Sequence, residues 1–432
     1  MNGILKRKVF FVRIRFTSPL SISSGEDEWT DSDILKDCDG TPFVPGSSLA
    51  GSMRAYLEKE KNVPCMMGYT DREDTGKMSS LFISDLTLDK EFTIGIRDGV
   101  ALDENKVAKT GSKYDMEILE GNAEGHFYLE LAVRENDAQE EEKWEQELAC
   151  VFQGIQSGEI RLGSKKTRGF GEFEILSLAV KTFGKENYLD YADAYEESAW
   201  TEAPDEKDTW LKRNTERKMV HITVPLRLKG GISIRQYAAK KDEPDFVHLT
   251  DHKMPVIPGS SMAGAIRHRI ERILRELEEN GVEIPVSVGK IIDTAFGYVD
   301  KTQACTSNII ISESEIHNAG FLTMARTGIS RFESAARDGA LYKERTCVDG
   351  DINLNLIVRK NGEHKDEEWI IGILLLALKD LQNGFLAVGG QTAIGRGVFS
   401  PNGPILIDGE QGREEEYIRN AFRSLARSGG KQ

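Results

Sequence analysis

Two stretches of this 432-residue chain carry the same chemical equipment in the same order. Residues 44–54 read VPGSSLAGSMR and residues 257–267 read IPGSSMAGAIR, with seven of eleven positions identical. A glycine and two serines opening a helix present main-chain N–H groups and hydroxyls, a combination suited to a phosphate. Ser47, Ser48, Ser260 and Ser261 are the candidate contacts and read as N-caps, with Arg54 and Arg267 within the first two turns. Later, residues 162–173 (LGSKKTRGFGEF) match residues 388–399 (VGGQTAIGRGVF) through Gly163/Gly389, Gly169/Gly395, Gly171/Gly397 and Phe173/Phe399. A glycine-rich turn lets the backbone approach a phosphate closely. Lys165, Lys166 and Arg168 charge the first turn and Arg396 the second, while His268, flanked by Arg267 and Arg269, reads as a further phosphate contact.

The polar loop before each P-G-S-S is the other chemical feature. Aligned on that element with one deletion, the loops pair Asp37 with Asp251 and, six residues upstream, Asp31 with Asp245. The local contexts read D-S-D and D-F-V, and Asp33 stands two residues after Asp31. A lone carboxylate with an ordinary pKa of about 4 is a poor general base at neutral pH. Phosphoryl chemistry at such a residue therefore calls for a metal, Mg²⁺ or Mn²⁺, with Asp31 and Asp245 as its ligands. The plain alternative is a solvated aspartate in an acid-rich loop.

These residues need elements to hold them. Phe10, Val12, Ile14 and Phe16 alternate as in a half-buried strand, and Val220, Ile222, Val224 and Leu226 do the same. Helices follow P-G-S-S, with apolar residues at Leu49, Met53, Tyr56 and Leu57 and at Met262, Ile266, Ile270, Ile273 and Leu274. Next come strands at 126–133 and 352–358, helices at 144–155 and 367–381, then the glycine-rich turn and a last strand. The order β-α-β-β-α-β predicts an α+β chain of two tandem ferredoxin-like, RRM-like domains with hairpin insertions. The domains are placed at 1–185 and 216–432, with an acidic segment at 186–215 between them. Between 186 and 208 that segment has nine acidic residues and one lysine. Tyr188, Tyr191, Tyr195 and Trp200 interrupt it, so both an exposed linker and a segment packed on a neighbour fit.

Composition sets outer bounds. The net charge of −15 argues against a free-standing, non-specific nucleic-acid binder, yet leaves room for one basic groove on an acidic subunit. The longest apolar run, 369–378, is interrupted only by Gly372 and falls far short of the ~20 residues of a membrane span. Five scattered cysteines without a C-x-x-C suit a reduced, cytoplasmic protein with no disulfide frame or zinc ribbon.

With P-G-S-S-x-x-G-x-x-R after a strand and polar loop, and a G-x-G turn before the last strand, the chain resembles the RAMP superfamily of CRISPR-associated proteins. More narrowly it is similar to the backbone subunit of type III effector complexes, here as two copies fused. The resemblance implies guide (CRISPR) RNA, complementary target RNA and other effector-complex subunits as partners. It also implies target cleavage by an aspartate just upstream of P-G-S-S, matched here by Asp31 and Asp245. D-S-D and D-F-V depart from the family's usual D-S-P, which leaves Asp33 as the rival of Asp31. The metal-assisted reading has the target's own 2′-hydroxyl attack. By the same resemblance the mixed-charge segments 95–115 and 327–349 are thumb-like hairpins that interrupt guide–target pairing. Arg97, Lys106, Lys109, Arg331, Arg337 and Lys343 are their candidate RNA contacts. A non-catalytic guide-RNA scaffold is the alternative. Guide processing ranks lower, because it needs a histidine poised near neutral pH and the seven histidines do not recur between the halves.

Overall fold

The structure is a computed structural model that describes residues 3–25, 30–58, 65–70, 76–103, 107–214, 217–237, 243–300, 303–360 and 366–429. The chain divides into two compact units, the first ending at Lys218 and the main body of the second beginning at Met219.

In the first unit the elements are β1 (Ile4–Phe16), α1 (Gly46–Leu57), β2 (Leu81–Ile83), β3 (Leu86–Leu88), β4 (Ile94–Leu102), β5 (Ala108–Leu119), β6 (Glu124–Arg134), α2 (Glu141–Gln156), β7 (Phe173–Phe183) and α3 (Lys207–Arg213). The antiparallel sheet runs β7-β1-β6 and then β2 and β3, the ferredoxin-like order of last, first, third and second strand. Phe10 pairs with Leu129 on one side and Val180 on the other, so β1 is the central strand. Strands β4 and β5 leave the sheet as a hairpin arm.

Strand β1 is buried on both faces. Phe10, Val12, Ile14 and Phe16 point one way, where Phe10 meets Phe152 of α2 and, edge-on with centroids 5.0 Å apart, Trp210 of α3. Val9 and Phe11 point the other way, and Phe11 stacks on Trp200 at 5.6 Å. The acid-rich segment is thus folded onto the first unit, with Trp200 against one face of the sheet and Trp210 against the other. Its tyrosines complete the cover: the hydroxyls of Tyr191 and Tyr195 donate to the buried carboxylate of Glu130, which also pairs with Arg7. A carboxylate tolerates such burial only with partners of this kind.

The second unit repeats the plan with β8 (Met219–Lys229), β9 (Phe246–His248), α4 (Gly259–Glu279), α5 (Val288–Phe296), β10 (Ile309–Ile311), β11 (Gly320–Arg326), β12 (Tyr342–Val348), β13 (Asp351–Arg359), α6 (Asp366–Gln382), β14 (Val398–Pro401), β15 (Leu406–Ile407) and α7 (Glu414–Gly429). Its sheet order, β10-β13-β8 and then β14 and β15, is again second, third, first, last. Its core joins Ile222, Val224 and Leu226 of β8 to Ile266 and Ile270 of α4 and to Leu374 and Leu378 of α6. The second arm is built from β11 and β12, so its outgoing strand lies before the segment 327–349 marked by charge pattern. Among the described residues no helix is long and apolar enough to cross a membrane.

The glycine-rich turns close both units identically. Gly171 and Gly397 have φ of +73° and +70°, and a Cβ on either would lie 1.8 Å from the carbonyl oxygen of Leu162 or Val388. Their carbonyls accept the N–H groups of Leu162 and Val388, and their own N–H groups donate to Pro19 and Gly231 just beyond each first strand. Gly171→Ala or Gly397→Ala is expected to destabilise its unit by about 3 kcal/mol or more, from the left-handed backbone and the steric overlap together. Denaturant unfolding of each variant is the check, and a loss below about 1 kcal/mol would contradict the contact.

Candidate active site

The loop bearing Asp31 rides on the returning strand of the first arm. The Glu117 N–H donates to Ser32 O at 3.0 Å. The Glu117 carboxylate in turn accepts the Ile34 N–H at 3.2 Å and the Lys36 ammonium at 3.0 Å. Asp31 itself is exposed, and its Oδ2 accepts the main-chain N–H of Asp115 at 3.0 Å. In the second unit, β9 pairs in parallel with β12, Phe246 beside Glu344 and Val247 beside Arg345. Just before it, Asp245 is exposed, and its Oδ2 accepts the main-chain N–H of Lys343 at 2.7 Å. Asp31 and Asp245 therefore occupy the same place, one carboxylate oxygen held by the backbone at the base of an arm. Asp33 is 6% exposed and takes the Thr30 hydroxyl, a buried structural bond rather than a reagent's position.

The P-G-S-S helices depart from expectation in one respect. The caps are Pro45 and Pro258, without a side-chain cap, and the serines fall inside the first turn. The carbonyl of Pro45 accepts the Ser48 N–H, and that of Pro258 the Ser261 N–H. Ser47 and Ser260 are exposed, and Ser48 and Ser261 half-buried. The N–H of Gly46 is taken by Asp85 at 2.7 Å, so a carboxylate already sits at the start of α1. The glycine is required by close approach: a Cβ on Gly46 would lie 2.5 Å from Ile83 O, and one on Gly259 2.2 Å from Ile311 O. The recurrence of Ile-Ser-Asp at 83–85 as Ile-Ser-Glu at 311–313 was the available sequence signal for this second contact point.

The basic candidates divide by what they touch. Lys165 reaches the arm base, with its ammonium 2.7 Å from Tyr114 Oη and 4.0 Å from that ring's centroid. Lys166 and Arg168 are exposed on the first glycine-rich turn. Arg267 is part-exposed and 3.9 Å from Asp293. His268 and Arg269 line a pocket of about 290 Å³ with Arg272 and with Thr392 of the second glycine-rich turn, which brings α4 and that turn together. Three arginines instead serve the fold. Arg54 donates to the carbonyls of Met67 and Gly68. Arg97 is 6% exposed and lies over Phe170 at 5.9 Å. Arg396 contacts Thr346 Oγ1 and Met324 Sδ. Lys109, Arg331, Arg337 and the Lys343 side chain are exposed on the arms, and Lys106 lies outside the described residues.

Sequence reading missed the main-chain contacts that hold the acids, at Asp115 and Lys343. These two are structural counterparts. One buried carboxylate was missed as well. Glu344, 1% exposed, is worked against by burial, but bonds from Ser233 and Gln391 and the charge of Arg235 hold it below the ordinary carboxylate range.

Among the described residues no group of three or more His, Cys, Asp or Glu side chains is arranged to hold a metal. The donors at the arm base are the exposed Asp31 in the first unit and the exposed Asp245 in the second. Mg²⁺ characteristically takes only one or two protein carboxylates and fills its shell with phosphate oxygens and water, so this donor set fits it.

A model of the RAMP superfamily matches residues 13–174 and again 225–400. The chain belongs to the RAMP superfamily. Both matched regions span the strand, acid loop, P-G-S-S helix, arm and glycine-rich turn described above. Membership carries a CRISPR-associated RNA-binding role, and some RAMP proteins are ribonucleases. RAMP proteins bind CRISPR RNA and partner subunits in effector complexes. No curated protein matches the chain.

The histidine nearest Asp245 is not a neutral-pH acid. His248 is 2% exposed, and burial pushes its pKa down to about 4 from 6.5, with its ring nitrogens bonded to Val256 O and the Ile234 N–H. The folded chain keeps this ring neutral down to about pH 4, whereas an unfolded histidine protonates near 6.5. The unfolded state thus takes up the extra proton between those values. The second unit should hold full stability above pH 6.5 and lose about 3 kcal/mol as pH falls through 4. Denaturant melts across that range check this, and His248→Gln should flatten the slope.

Proposed function

We propose that this RAMP protein is a backbone subunit of a type III CRISPR effector complex that cuts target RNA paired to its guide, with one acid per repeat. The observation that supports this reading is the shared setting of Asp31 and Asp245, each exposed and each held by a main-chain N–H at the base of an arm. Two acids in the same register at the same structural place are more than an acid-rich loop requires.

In this reading the chain's contribution is geometric. The arm and the loop beside it fix the carboxylate, and the glycine-rich turn holds the RNA backbone near it. The target's 2′-hydroxyl attacks its neighbouring phosphorus in line. The 2′-O–P bond forms as the P–O5′ bond breaks, giving a 2′,3′-cyclic phosphate and a 5′-hydroxyl. Mg²⁺ or Mn²⁺ at Asp31 or Asp245 would offset the charge that develops on the phosphate. Two repeats in one chain fix two adjacent cutting positions without a further association step.

The deciding experiment is target cleavage by the assembled guide complex in Mg²⁺, comparing the wild type with Asp31→Ala, Asp245→Ala and the double variant. Each single change should remove one cut by at least ~100-fold while guide binding persists. An identical pattern from all four proteins would make the chain a guide-binding scaffold.

A further inference from the structure

We propose that Asp115 is a positioning residue for Asp31, closing a two-way clasp between acid loop and arm of which Lys343 in the second repeat supplies the main-chain half. The inference rests on the nuclease reading above and goes beyond it by naming what orients one of the two acids.

The two residues exchange bonds. Asp31 Oδ2 accepts the Asp115 N–H at 3.0 Å, and Asp115 Oδ1 accepts the Asp31 N–H at 3.2 Å. The backbone at Asp31 and its carboxylate are thereby both fixed to one residue of β5. The next residues extend the attachment, through the Glu117 N–H to Ser32 O and the Glu117 carboxylate to the Ile34 N–H. Asp115 is half-buried and the acid it holds is exposed, so the clasp orders a side chain that would otherwise sample several rotamers in water.

The second repeat differs in the residue that faces the acid. Lys343 gives its N–H to Asp245 at 2.7 Å, but an ammonium has no acceptor to offer the Asp245 N–H in return. The first acid is clasped in both directions by one residue, whereas the second takes the Lys343 N–H and has its loop tied to the arm by the β9–β12 ladder. Removing the Asp115 side chain should therefore loosen the first site without touching the second.

Asp115 could act through its acceptor oxygen or through its charge, and one pair of substitutions separates them. Asp115→Asn keeps an oxygen that accepts the Asp31 N–H but removes the charge, whereas Asp115→Ala removes both. Single-turnover cleavage by the assembled complex at saturating target is the measurement, scored separately at the two cuts. The cut assigned by Asp31→Ala should slow about tenfold in Asp115→Ala and stay within about twofold of wild type in Asp115→Asn. Target affinity and the cut assigned by Asp245→Ala should be unchanged, and both report that the variant is folded. Equal loss in both variants would overturn the inference by showing that the charge is what matters. Full activity in Asp115→Ala would overturn it too, as would a fall in target affinity that accounted for the loss. If Asp31→Ala itself removes no cut, the nuclease reading has failed, and that outcome is distinct from any of these.

Discussion

A missing side chain sets the geometry of each repeat. At Gly171 and Gly397 the backbone turns left-handed directly beneath the carbonyl of the residue that opens the glycine-rich turn, closer than any Cβ permits. The N–H groups of the same glycines fasten the turn to Pro19 and Gly231, where the chain leaves the central strand. That junction is the start of the acid loop. The loop's course along the arm, and the setting of Asp31 and Asp245, follow from where it departs.

Much of this plan was legible before the coordinates. Period-two burial marked β1 and β8, and the recurrence of P-G-S-S marked the helix starts. Counting back from that element placed Asp31 and Asp245 in register, which the matching Oδ2 contacts reproduce. What stayed hidden was direction. A cation in a mixed-charge hairpin carries no mark of which face of the strand it occupies, and Arg97 points inward over Phe170. Arg396 likewise turns toward the arm, because its neighbours there are Thr346 and Met324. The serines were misplaced as caps because Pro45 and Pro258 already supply the extended residue before the helix. The arm contacts were unreadable for another reason: a main-chain N–H donates whatever the residue type, so Asp115 and Lys343 play one part with unlike side chains.

The duplication has also drifted where it could. The first arm base is filled by Met116, Ile118 and Phe170, an apolar cluster. The positions that answer to them in the second hold Glu344, Thr346 and Arg396, joined by hydrogen bonds to Ser233, Gln391 and Met324. An apolar plug and a hydrogen-bonded polar network occupy matching positions, but placing Glu344 or Arg396 singly into the apolar cluster would leave a buried charge without partners. The two halves can no longer trade these residues one at a time.

The acid-rich segment has a consequence for where the chain can be divided. It carries Trp200 to one face of the first sheet and Trp210 to the other, enclosing the edge strand β7 like a strap threaded around it. A gene cut at its beginning would deliver a first repeat with Phe11 bare on one side and Phe10 and Phe152 bare on the other. The natural seam between the repeats is therefore after Lys218, beyond the whole of the strap.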